Sequence, residues 1–121
     1  MEAKQIIDAI NKKYGKETVV KNVQKDVDVI PTGCINLDLI LGVGGIPTKR
    51  ITEYYGVESA GKTTLALQAV ANCQAMGKVA VYIDAEHALD TTYAIKLGVN
   101  LDDLILIQPD TAEIALNIIC D

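Results

Sequence analysis

Residues 53 to 64, EYYGVESAGKTT, gather two glycines, a lysine, a serine and two threonines just ahead of an apolar run. Gly56, Gly61, Lys62 and Thr63 satisfy the spacing GxxxxGK[ST]. In such a loop the backbone N–H groups wrap phosphate oxygens and the following helix turns its positive N-terminal dipole towards them. The lysine supplies a point charge to the β and γ phosphates, and the hydroxyl of Thr63 is placed to ligate Mg²⁺. An ordinary glycine turn between strand and helix explains the glycines but leaves Lys62 unexplained.

A second chemical cluster follows in VAVYIDAEH, where Asp84, Glu86 and His87 end an apolar run. The carboxyl ends of parallel strands are where such sheets bind ligands. By pattern alone Asp84 suits a Walker-B carboxylate that holds Mg²⁺, and Glu86 suits a base that orients an attacking water. The competing reading is a pair of solubilising acids at a strand exit. His87 is the chain's one histidine, has no companion ligand, and reads as a hydrogen-bonded structural residue.

These residues need a scaffold, and the pattern supplies one. RITEYYG reads as a strand, KTTLALQAVANCQAMG as a helix, KVAVYID as a strand, DTTYAIKLG as a helix and DLILI as a strand, with a last helix starting at PDTAE. Strands alternating with helices predict an α/β fold with a parallel sheet, flanking helices and right-handed crossovers. Leu65, Ala66, Ala69, Val70, Cys73 and Met76 form an apolar stripe that Gly77 ends, and Asp110 and Glu113 have capping-box spacing. Upstream, Ala3, Ile6, Ile7, Ile10 and Tyr14 recur at helical spacing, with Gly15 as a C-terminal cap. ETVV and VDVI are β-prone pieces of an arm. Residues 36–41 read as a helix and GVGGIPTKR as a loop, and the arm gives way to the core near residue 33.

The bulk numbers fit one 121-residue domain with half its residues hydrophobic. All five aromatics are tyrosines, so the core rests on Ile, Leu, Val and Ala. Residues 1–25 carry six lysines against three acids, a balance of +3, which leaves −8 elsewhere within the total of −5. That basic segment suits phosphates, an acidic surface on another copy, or simply a solvated helix face. Cys34, Cys73 and Cys120 are too scattered for a disulfide framework or a zinc site. The N-terminus lacks a signal-peptide core and no apolar run reaches membrane-spanning length, so a reducing cytoplasm is the default compartment.

Four separated stretches, IPTGCINLDLILGVGGIP, GVESAGKTTLALQ, YIDAEHALD and YAIKLGVNLDDLILIQPDTAEIAL, together closely resemble the bacterial RecA recombinase family, over nearly the whole chain. The resemblance implies a P-loop NTPase fold and an ATP-dependent protein that forms filaments on single-stranded DNA. Such a protein pairs that strand with homologous duplex and exchanges strands in recombination and DNA repair. It makes Gly56, Val57, Glu58, Ser59, Ala60, Gly61, Lys62, Thr63 and Thr64 the phosphate cradle, with Mg²⁺ on Thr63. Glu86 resembles the catalytic glutamate, with Lys62 beside it among the catalytic residues. Asp90 and Tyr93 resemble the residues that meet the adenine, the tyrosine by stacking and the aspartate at the amino edge. Asp84 becomes a structural residue at the strand end, because the family's Walker-B aspartate lies on a later strand. The arm, residues 1–33, resembles the element that docks on a neighbouring protomer, and residues 34–121 the first half of the ATPase core.

The sequence departs from the family pattern at Val57 and Thr91, where proline is usual, at Ala60, where serine is usual, and at Lys49, where glycine is customary before Arg50. A lysine dislikes the backbone conformation that glycine accepts there. Ile114, Ile118 and Ile119 face something outside the sequence, which therefore reads as cut short. On this reading a Walker-B strand, DNA-binding loops and residues supplied by a neighbour are missing, and the rival expectation is a nucleotide-binding or interaction module without ATP turnover. Another ATPase of the same superfold, such as an archaeal-type recombinase or a replicative helicase, is disfavoured by AEHALD and QPDTAE.

Overall fold

The computed structural model describes residues 3–15, 19 and 27–120. The chain is an α/β protein whose elements run α1 (Ala3–Tyr14), β1 (Val29–Ile30), α2 (Ile35–Ile40), β2 (Ile46–Pro47), α3 (Lys62–Ala75), β3 (Ala80–Ile83), α4 (Thr91–Lys96), β4 (Leu104–Ile107) and α5 (Ala112–Cys120). β3 and β4 pair in parallel, Ala80 opposite Leu104 through Ile83 opposite Ile107, with α4 in the crossover between them. A parallel pair needs such a connection, because a tight turn can only reverse the chain.

The glycines at helix ends do what their positions predict. Gly77, at φ 71°, lets its own N–H reach Gln74 O at 2.8 Å and the Lys78 N–H reach Cys73 O at 3.2 Å, which closes α3 in a Schellman motif. Gly98 closes α4 the same way, its N–H on Ile95 O and that of Val99 on Ala94 O. The second closure drops Val99 into the core, where Leu67, Ala94 and Val99 are buried together under Val70, Ala71, Tyr82 and Leu104.

Four sequence readings change. The face of α3 that enters this core is Leu67, Val70 and Ala71, at i, i+3 and i+4, whereas Met76 of the predicted stripe is 46% exposed. α3 is apolar on several sides, so periodicity did not single out the side that α4 covers. Residues 50–56, expected as a strand, form no ladder among the described residues; Ile51 is fully exposed and Tyr55 nearly so. Strand propensity is realised only where a neighbouring strand supplies bonds. Within the stretch read as a loop, Ile46 and Pro47 instead pair antiparallel with Ile30 and Val29. Gly45 permits that approach, since a Cβ there would sit 2.6 Å from Ile30 O. Finally, α5 is capped by Thr111, whose Oγ1 accepts from the Ile114 N–H at 3.3 Å, and not by Asp110. ETVV lies almost wholly outside the described residues.

Side-chain amides fasten the remaining segments to α3. Asn72 Nδ2 donates to Pro31 O at 2.8 Å, and Gln74 exchanges two hydrogen bonds with the backbone of Asn100. The helix that begins at Lys62 is therefore held from both sides.

Candidate functional site

The loop before α3 has an unusual backbone. Ser59 stands at φ 59° and Gly61, the N-cap residue of α3, at φ 89° in the left-handed region. Among the described residues no side chain caps the helix start. N-terminal N–H groups left without an internal side-chain acceptor suit an anion. Ser59, Ala60, Gly61, Lys62, Thr63 and Thr64 line an open hollow of about 190 Å³.

Lys62 reaches back over this loop, its Nζ donating to Gly56 O at 3.1 Å and Val57 O at 2.9 Å. The ammonium is thus held against the carbonyls of the loop while still exposed. Thr63 is exposed at the same helix start, where a hydroxyl can meet a metal ion.

The loop after β3 is built on another plan. Asp84 is only 7% exposed, and its N–H donates to Ile107 O at 2.8 Å, which extends the β3–β4 ladder. Its Oδ2 accepts from the Leu89 N–H at 3.0 Å and from Gln108 Nε2 at 3.2 Å. Burial by itself raises the carboxyl pKa. The hydrogen bonds from Leu89, Gln108, Ala88 and Glu86 outweigh it and hold Asp84 below the ordinary aspartate value. An anion so occupied is a structural anchor, and it has little left for a metal. Gln108 escaped sequence reasoning, because the register that pairs Ile83 with Ile107, and so brings Asp84 and Gln108 out side by side, is set by the crossover and not by any local stretch.

Glu86 is exposed, and its backbone N–H is one of the donors that serve Asp84. His87, at φ 54°, places Nε2 3.3 Å from Pro109 O, a structural hydrogen bond rather than a ligand position. Among the described residues no three of His, Cys, Asp and Glu are grouped to hold a metal ion. Mg²⁺ dehydrates reluctantly and commonly takes few protein ligands beside phosphates and water, so Thr63 with a phosphate chain fits it better than a carboxylate cage.

Asp90 and Tyr93 sit at the start of α4. Asp90 is its N-cap, with Oδ1 accepting from the Tyr93 N–H at 2.9 Å. The Tyr93 hydroxyl lies 3.0 Å from Thr64 Oγ1 of α3. The structure therefore joins Tyr93 to the glycine loop and its helix, while Glu86 and Asp90 stand on the adjoining loop. No spacing rule in the sequence announces the Thr64–Tyr93 contact, because 29 residues separate the two. Lys49 has φ 58°, the left-handed conformation that glycine would take without strain. Tyr54 is half buried with a hydroxyl that has no partner among the described residues; burial and the nearby Asp38 charge raise its pKa.

Residues 2–121 match the family described as RecA N-terminal domain. The protein named Protein RecA in Xanthomonas campestris pv. campestris is 58% identical over 112 residues, covering 90% of this chain and 33% of the relative. Protein RecA of Xylella fastidiosa is likewise 58% identical over 112 residues, 90% of this chain and 32% of that protein. The chain spans about a third of the length of these relatives. With the match running across almost all of its residues, the chain belongs to the RecA family, in the family's N-terminal domain region.

Proposed function

We propose that residues 56–64 bind the β and γ phosphates of ATP, with Mg²⁺ on Thr63, as the nucleotide site of a RecA-type recombinase. The protein of which this segment forms the nucleotide-binding part would assemble as a filament on single-stranded DNA and pair it with homologous duplex. Residues 1–33 serve as the arm that docks on a neighbouring copy, and residues 34–121 as core. The observation that supports this most is the uncapped start of α3 behind a left-handed Gly61, with Lys62 folded over the loop.

Each residue has a derived part. The N–H groups at the start of α3 orient the phosphates, and Lys62 exchanges two neutral carbonyl acceptors for anionic oxygens, a stronger contact. Magnesium, when bound, neutralises charge on the phosphate chain. Tyr93 offers its ring to the base and Asp90 its free oxygen to the base edge. Glu86, exposed on the loop after β3, would orient a water.

A second reading is favoured by Asp84, whose carboxylate is committed to Leu89 and Gln108. No other strand-end acid stands in for it among the described residues, so the 121-residue chain acts as a nucleotide-binding or interaction module with negligible turnover. Its acidity beyond residue 25 also predicts weak affinity for single-stranded DNA, because backbone binding scales with lysine and arginine contacts.

The test is a titration of Mg·ATP into the parent chain and Lys62→Ala. A charge-assisted phosphate contact is worth roughly 1.5–3 kcal/mol, so the variant should bind about 10- to 100-fold more weakly. Equal affinities would remove the assignment. Phosphate release measured with and without single-stranded DNA separates the two readings: DNA-stimulated turnover supports the first, and its absence the second.

A further inference from the structure

The hydroxyls of Thr64 and Tyr93 meet at 3.0 Å, joining the third residue of α3 to the third residue of α4. Both partners are held by their own elements. Thr64 belongs to the wall of the hollow before α3. Tyr93 has its N–H fixed by Asp90, and the next residue, Ala94, is fully buried in the core. Backbone and phenol are thus both anchored, which removes most of the freedom of the ring, yet the side chain remains 39% exposed. Two partly exposed hydroxyls gain little stability from meeting each other, since water serves either one nearly as well. What the bond does supply is orientation: a ring with a fixed tip presents its face to a ligand before the ligand arrives, which lowers the ordering cost of binding.

We propose that Thr64 is a positioning residue for base recognition, its hydroxyl holding the Tyr93 ring beside the phosphate loop so that the ring receives the planar base of a nucleoside triphosphate. The inference rests on the phosphate reading of residues 56–64. It assigns Thr64 a side-chain role distinct from the backbone contact that any residue at its position would make. Base and phosphate recognition are then coupled through the first turn of α3, which carries Lys62, Thr63 and Thr64 in succession.

The experiment measures affinity for Mg·ATP and for magnesium tripolyphosphate by calorimetry, in the parent chain, Thr64→Val, Thr64→Ser, Tyr93→Phe and the Thr64→Val/Tyr93→Phe double variant. The ratio of the two affinities isolates what the nucleoside adds. Thr64→Val should lower that ratio by about three- to tenfold, the range of one net hydrogen bond. Tyr93→Phe should match it, Thr64→Ser should retain the parent ratio, and the double variant should lose no more than either single one. An unmoved ratio in Thr64→Val, or losses that add in the double variant, overturns the inference. If Thr64→Val does not fold, an unmoved ratio in Tyr93→Phe or a lowered one in Thr64→Ser overturns it equally. A parent chain that binds both probes with the same affinity contradicts the base contact and leaves the phosphate site standing. A parent chain that binds neither removes the phosphate reading itself, and this inference with it.

Discussion

The loop before α3 and the loop between β3 and α4 both deliver the chain into a helix start, and they treat their backbone donors in opposite ways. Before α3, among the described residues, no side chain caps the helix, Gly61 opens the turn in the left-handed region, and the long side chain of Lys62 that folds over the loop is a cation. Before α4 the side chains are acceptors: Asp90 caps the Tyr93 N–H, and Asp84 gathers the donors of Leu89 and Gln108. The first loop therefore presents N–H groups and a positive charge to an outside anion, while the second satisfies its donors internally and holds still. An anion site would require this division, because side-chain acceptors bonded to the helix-start N–H groups would compete with an incoming anion.

Breaking the second loop should have the largest effect on stability. Asp84→Ala leaves the Leu89 N–H and the Gln108 amide without their charged acceptor, and should destabilise the fold by about 2–3 kcal/mol in urea denaturation. Acid sharpens the same point. Since the folded pKa of Asp84 is lowered, the unfolded chain takes up the proton first. Its contribution is complete above the unfolded value, near pH ~4, and disappears as pH falls through the lower folded value. A stability–pH profile of Asp84→Ala should therefore lose part of the parent's decline below pH ~4; parallel acid limbs in the two proteins would show that Asp84 is no anchor.

Next in size is Gly61→Ala. Nothing within 4 Å meets an added Cβ there, so the cost comes from φ 89° alone and should be about 1–2 kcal/mol, read as a lowered urea midpoint. The same change should weaken Mg·ATP binding, because the turn that exposes the α3 donors is the one being strained.

The smallest effects compare the positive-φ residues of the two loops. Ser59 and His87 have nearly the same backbone strain, at φ 59° and 54°. Ser59→Gly relieves it at the cost of greater unfolded-state freedom and should stay within about 0.5 kcal/mol of the parent. His87→Gly gains the same relief but loses the hydrogen bond to Pro109 O, and should fall about 1 kcal/mol below Ser59→Gly. Equal midpoints for the two variants would mean that the histidine contact holds nothing.

Local features were legible and long-range ones were not. The glycine loop, the start of α3 and the cap at Gly77 each depend on a few consecutive residues, so type and spacing were enough. β3 and β4 were legible for another reason: each has the apolar run that a parallel strand needs, and each has its partner in the chain. Residues 50–56 carry a similar signal but form no ladder among the described residues, because alternation records a preference and not the presence of a neighbour. The burial of Asp84, the role of Gln108 and the Thr64–Tyr93 bond depend on which segments the crossover brings together, which no local window contains. At α5 the capping-box spacing pointed to Asp110, but the helix is capped by the next residue, Thr111.

The division between the two loops is tested most directly by following backbone amides of the isotope-labelled chain by NMR as Mg·ATP is added. Saturable shifts should appear at Gly61, Lys62 and Thr63, whose N–H groups the proposed site would turn to the phosphates, while Leu89, whose N–H is held by Asp84, should stay nearly unmoved. Shifts confined to the β3–α4 loop, with the amides of residues 61–63 unchanged at saturating nucleotide, would contradict the account.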